Sequence, residues 1–178
     1  VTKLDNLVTK VGSGITPKGG RESYQNEGVI FIRSQNVLKG KLNLSDVAFI
    51  SEEQHDKMSN SSLSIGDVLL NITGASIGRS CIVPTFLKKG NVNQHVCIIR
   101  PNEKLDPDFL CQFLNSSFGS NQIDRFQAGG NREGLNYQQI RAFNLPFPGL
   151  QEQQKIASIL TKIDNKLDLL EEKKQYHQ

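Results

Sequence analysis

The segment that most constrains this chain is its end. Leu145-Pro-Phe-Pro-Gly-Leu-Gln-Glu-Gln-Gln-Lys-Ile-Ala leads into a run, Ser158 to Lys174, with no Gly or Pro inside it. A Pro-bounded apolar stretch feeding such a run reads as a strand, Leu145–Phe147, followed by one long helix. Ile156, Leu160, Ile163, Leu167 and Leu170 are spaced 4, 3, 4, 3, the a/d spacing of a coiled-coil seam. A single helix cannot bury its own seam. Two outcomes are open: the row packs back on its own domain, or it projects and takes a partner helix. The length of the run and the Pro-Phe-Pro-Gly lead-in favour projection. The expected organisation is a globular domain over residues 1–149 and a spacer or dimerisation helix over residues 150–178.

Charge divides along the same boundary. Residues 151–178 carry 5 Lys+Arg and 5 Asp+Glu, against totals of 21 and 18, so the excess of +3 lies on residues 1–150 (16 against 13). A neutral, mixed-charge helix suits a protein partner. A mildly basic globular part is compatible with nucleic acid. No apolar run approaches the roughly 18 residues of a membrane span. The opening Val-Thr-Lys-Leu-Asp-Asn-Leu has no apolar signal core, which points to a cytosolic chain. A start at Val is compatible with processing or with a longer polypeptide.

The globular part predicts an α+β fold rich in short strands. Val29–Ile32, Val68–Ile72 after an Ile-Gly-Asp turn, Ser80–Val83 and His95–Arg100 read as strands. Ser51 caps a helix whose first turn holds Glu52 and Glu53. Asp106 caps a second, with Pro107 at its first position and Phe109, Leu110, Phe113 and Leu114 on one apolar face. Between these elements lie loops rich in Gly, small polar and basic residues: Gly12–Arg21, Arg33–Asn36, Thr73–Arg79, Asn91–His95 and Ala128–Gly134. Gly allows a backbone to approach a ligand closely. Ser, Thr and backbone N–H groups contact phosphate, and Arg, Asn and Gln can bind base edges. Each loop alone is as well explained as a surface turn or a site of local ion pairs; their coincidence is what suggests a surface for a polyanion.

Catalytic patterns are missing from the sequence. Cys81, Cys97 and Cys111 have no zinc-ligand spacing and read as buried, reduced thiols; His55, His95 and His177 are scattered. Thr73–Gly78 follows a strand but leads into another strand, so the dinucleotide and P-loop context is lacking. There is no methyl-donor loop and no Asn/Asp-Pro-Pro-aromatic tetrapeptide. Glu171-Glu172-Lys173 has nuclease-like residue types but sits on the tail helix, where such charges form a solvated face. No metal or cofactor site is expected, and catalysis within the chain is not.

At these residues the chain resembles the specificity subunit of type I restriction–modification systems, as one target-recognition domain plus one spacer helix. The resemblance rests on Gly12-Ser-Gly-Ile-Thr-Pro17, on Gly66-Asp-Val-Leu-Leu-Asn-Ile-Thr-Gly74 with Ile77-Gly78, on Asn93-Gln94-His95, on Gly134-Leu-Asn-Tyr-Gln-Gln-Ile140 and, most specifically, on Leu145 to Ala157. Members of that family usually carry two such domains and two helices. The resemblance therefore implies either half of a full subunit or a half-length subunit that dimerises through its helix. It implies double-stranded DNA as ligand, a methyltransferase subunit as direct partner, a restriction subunit as indirect one, and no membrane. The methyl donor would reside on the methyltransferase subunit. The expected DNA contacts are Ser13, Thr16, Lys18, Arg21, Arg33, Gln35, Asn36, Thr73, Ser76, Arg79, Asn93, Gln94, Asn131 and Arg132. The expected helix-partner residues are Ile156, Leu160, Ile163, Leu167 and Leu170. Two other readings stand beside it: a non-catalytic protein-interaction module that dimerises or inhibits through the helix, and, more weakly, a methyltransferase fragment.

Overall fold

The computed structural model describes residues 1–17, 19–128 and 134–175. Its centre is the strand β5 (Val68–Asn71), buried along its whole length. β5 lies between β8 (Val96–Pro101) and β6 (Ser80–Ile82), and β2 (Val8–Ser13) pairs with the far edge of β8, giving an antiparallel sheet of order β2-β8-β5-β6. A strand buried on both faces reads as a continuous apolar run, which is why Val68-Leu-Leu was legible.

Alternation along these strands divides two cores. Val68, Leu70, Cys97 and Ile99 face a helical layer: α2 (Pro107–Asn115), α3 (Ser117–Ala128) and α4 (Tyr137–Arg141). Leu69, Cys81, Val96 and Ile98 face the second sheet. That sheet has the order β4 (Ala48–Ile50), β3 (Val29–Ile32), β7 (Gly90–Val92), with β3 parallel to β7 and antiparallel to β4. On β3, Ile32 faces the shared core, whereas Val29 and Phe31 pack with Ala48, Ile50 and Met58 on the outer side. That outer side lies near α1 (Glu52–Lys57), capped by Ser51 in a capping box with Gln54. Asp106 caps α2 as predicted, its side chain accepting from Phe109 N at 2.9 Å.

The last helix, α5 (Leu150–Gln175), holds 26 residues, about 39 Å at 1.5 Å per residue. Its start is locked to the domain by Gln153, which is completely buried. Gln153 Oε1 accepts from Asp106 N at 2.9 Å, and its Nε2 donates to Lys104 O at 3.1 Å and Pro148 O at 2.9 Å. Ala157 is buried in the helical core and Ile156 packs against it. Ile156 therefore serves its own domain, unlike the rest of the predicted seam. Leu160, Ile163, Leu167 and Leu170 stay 40–54% exposed. Asn102-Glu-Lys-Leu-Asp106, between β8 and α2, gives α5 its seat.

The β-rich mixed fold with a long C-terminal helix is the one found. Several elements differ from expectation. Gly12 and Ser13 belong to β2, not to a loop, and Asn91 and Val92 form part of β7. The closing strand is β9 (Asn144–Leu145), paired with β1 (Thr2–Lys3), and stops before Phe147. α3 was not foreseen, because it buries only Gly119 and Ile123 and shows no apolar stripe. No helix among the described residues is long and apolar enough to cross a membrane.

Candidate nucleic-acid interface

Strand register brings the polar loops to one end. Ser13 closes β2 opposite Cys97 near the start of β8; Asn71 closes β5 opposite Val96; Ile32 closes β3 beside Val92, the end of β7. The segments after β2, β3, β5 and β7 must therefore emerge together. Thr73 bridges Gly134, and Leu135 N donates to Ile72 O at 2.9 Å. The stretch leading into α4 is thus anchored at the same end.

The two sheets meet there at a tight turn. Asn93 N donates to Ile32 O at 3.0 Å, and Asn93 O accepts from Gly14 N at 3.2 Å and from Val96 N at 3.4 Å. The Asn93 side chain accepts from His95 N at 3.1 Å, the Asx turn that Asn favours. Gly14 passes so close that a Cβ would sit 1.7 Å from Val92 O. Only Gly fits.

On this frame stands a connected polar row. Thr16 Oγ1 donates to Gln94 Oε1. Gln94 Nε2 lies 3.1 Å from His95 Nε2, and His95 Nδ1 lies 2.7 Å from Thr73 Oγ1. Ser13 N donates to the Tyr137 hydroxyl at 3.0 Å, and the Ser13 hydroxyl bonds the same oxygen. Ser76 Oγ accepts from the buried Asn71 Nδ2 at 3.0 Å, and that amide also donates to Ser34 O at 2.9 Å. Of the predicted contacts, Thr16, Gln94 and Thr73 are joined through His95, while Ser13 and Ser76 stand at the same end in separate pairs. Arg79 is exposed and lines a cleft of about 180 Å³ with Lys39, Asn115 and Asp124.

Other predicted contacts are committed inside the fold. Asn36 is 2% exposed. Its Oδ1 accepts from Arg33 N at 2.9 Å and its Nδ2 donates to Asn43 O and Asp46 O at 2.9 and 2.8 Å. Asn93 is likewise buried in its turn. Arg33 is held by Asp46, at 3.1 Å to its carbonyl and 3.4 Å to its carboxylate, and lies over the Tyr24 ring at 5.8 Å. Gln35 is exposed and donates to Asp46 Oδ2 at 2.6 Å. These Asn and Arg positions shape the loops from within. Lys18, Asn131 and Arg132 lie outside the described residues, as does the side chain of Arg21, which belongs to the 3-10 turn Gly20–Ser23.

Sequence reasoning missed Tyr137, His95 and Lys39 at this end. Asn136-x-x-Gln139 is a capping-box signature that announces α4, with Tyr137 in its exposed first turn. Nothing in the sequence marks Lys39 apart from other lysines.

The remaining titratable groups are structural. Burial pushes the Cys97 thiol up to about 12 and Cys111 to about 11, and raises Cys81 as well; none is a thiolate at neutral pH. Arg100 forks Asp67 with contacts of 2.7 and 2.8 Å, and this hydrogen bonding raises the Arg100 pKa. Among the described residues no group of His, Cys, Asp and Glu could hold a metal ion.

A two-sheet core with a helical layer thus carries a polar loop end and a long exit helix. The chain belongs to the family of type I restriction modification DNA specificity domains, whose profile matches residues 1–176. It is 25% identical over 178 residues to the type I restriction enzyme StySPI specificity subunit of Salmonella potsdam, covering 94% of this chain and 37% of that one. Its fold matches the HsdS subunit of Thermoanaerobacter tengcongensis with a TM-score of 0.68 at 18% identity, over 95% of this chain and 38% of that one. A chain solved in work on complex assembly and conformational transition of the type I R-M system gives a TM-score of 0.71 at 16% identity, over 95% and 39%. The chain thus spans about two fifths of the length of the relatives it matches.

Proposed function

We propose that this chain reads one half of a bipartite DNA target for a type I restriction–modification complex and is not itself catalytic. The observation that carries the reading is the convergence of the Gly-rich polar loops at one end of both sheets. Strand register alone accounts for the shared end; the hydrogen-bonded row Thr16–Gln94–His95–Thr73 is what sets these turns apart from solvated ones. Thr16, Gln35, Arg79 and Gln94 are the exposed or half-exposed contacts, with Ser13, Thr73 and Ser76 beside them. Lys18, Arg21, Asn131 and Arg132 remain candidates on the same loops. Asn36, Asn93 and Arg33 act indirectly by shaping those loops.

The distal row of α5 supports the second part of the proposal. Leu160, Ile163, Leu167 and Leu170 take a helix from a second copy or from another specificity half, and the helix docks the methyltransferase subunit. The restriction subunit joins through that assembly. The same exposed row also favours the rival reading, a protein-interaction module without DNA. Salt separates them: phosphate contacts release counterions, so DNA binding falls steeply with salt, whereas apolar helix pairing does not.

The deciding experiment co-expresses this chain with a methyltransferase subunit from the same source, with no longer specificity subunit present, and maps methyladenine across the host genome. A palindromic two-part motif is expected for a pair of reading halves. A stable complex that leaves the genome unmethylated would refute reading by a homodimer.

A further inference from the structure

Gln94 occupies a special position in the polar row. It is exposed at the tip of the Asn93–Val96 turn, yet both ends of its amide are engaged. A Gln amide has two lone pairs on oxygen and two N–H donors. Thr16 takes one lone pair, and His95 takes one N–H. One acceptor and one donor are left. In this orientation the amide donates to His95 Nε2, and the imidazole proton lies on Nδ1, donated to Thr73 Oγ1 at 2.7 Å; with the amide turned over, the other imidazole tautomer and the hydroxyls of Thr16 and Thr73 satisfy the same contacts. His95 is anchored in turn by its backbone, N to the Asn93 side chain at 3.1 Å and O from Ile72 N at 3.0 Å.

The geometry points to Gln94 as the reader of one adenine in the major groove, with Thr16 and His95 as positioning residues that hold its amide at the tip of the turn. Resting on the DNA-reading function proposed above, this assignment names the residue and the base. Adenine presents N7 as acceptor and N6 as donor, the complement of the two free positions on Gln94. An unrestrained Gln would swing away from the base edge; the Thr16–Gln94–His95–Thr73 row holds the amide in place. Guanine offers two acceptors on the same edge and is refused by the Gln94 oxygen.

The test uses the purified full chain. A random duplex pool is enriched for sequences it retains. Each adenine of the recovered site is then replaced singly by 7-deazaadenine, which keeps the N6 amino group and lacks the N7 acceptor. At one adenine the replacement should weaken wild-type binding roughly tenfold and leave Gln94→Ala binding unchanged. Thr16→Val and His95→Phe should lose the same sensitivity at the same adenine, and Thr16→Ser should keep it. Melting curves control for folding, and Thr16, at the surface, keeps the test alive if His95→Phe does not fold. Retained duplexes in which Gln94→Ala couples to no adenine would overturn the assignment alone. So would coupling to the guanine 2-amino group, read out by inosine. Wild-type sensitivity in Thr16→Val and His95→Phe would overturn their positioning role. Failure to enrich any duplex would overturn DNA reading by this chain, and the assignment with it.

Discussion

Gln153 and Leu170 lie on the same helix, and their surroundings invert what their side chains prefer. The polar Gln153 is completely buried and the apolar Leu170 is 54% exposed. The loop end repeats the contrast between neighbours: Asn93 is buried in the frame, while Gln94 beside it is exposed. Burial of an amide is tolerated where each of its groups meets backbone, as Gln153 meets Asp106, Lys104 and Pro148. A row of exposed leucines is what an associating surface presents. Each pair thus separates a residue that holds the molecule's own shape from one left free of that task.

The sharpest way to break the first pair is Gln153→Leu. It strands one N–H and two carbonyls at roughly 1–3 kcal/mol each, so a destabilisation of about 3 kcal/mol or more is expected in urea unfolding, with the start of α5 losing hydrogen-exchange protection first. Ala157→Leu overpacks the same seat and should cost about 1–3 kcal/mol, measured the same way. Asn93→Ala removes the Asx turn and should lower stability by about 1–2 kcal/mol, whereas Gln94→Ala should stay within about 0.5 kcal/mol of wild type; equal costs would dissolve the second pair. Smallest of all, Leu167→Asp with Leu170→Asp should leave the dilute monomer within about 0.5 kcal/mol per site while abolishing helix-mediated association in light scattering. Unchanged association would remove the distal row from the interface.

Elements with strong local chemistry were legible in the sequence. β3, β5 and β8 are apolar runs, and Asp106-Pro107 and Ser51 announce their helices. β2 was not legible because Val8-Thr-Lys-Val-Gly-Ser is an edge strand whose polar residues and Gly imitate a loop. α3 begins at a sharp junction, where a Cβ on Gly119 would lie 2.5 Å from Leu114 O, and packing against α2 rather than propensity holds it. At the loop end the residue types were readable but not their burial. Asn36, Asn93 and Gln94 look alike in sequence, and only tertiary hydrogen bonds tell the frame from the face. Ile156 and Leu160 share one heptad pattern; the helical core takes the first and leaves the second 40% exposed.

The crossing of Gly14 over Val92 sets a rule for anyone who would redesign what this surface recognises. Side chains at 35, 79 and 94 can be varied as a combinatorial set, because they are exposed on the turns. Position 14 cannot join that set. Any side chain there would push β2 away from the turn that joins the sheets and misplace every varied residue at once, so a diversified library is useful only with the Gly14 codon held constant.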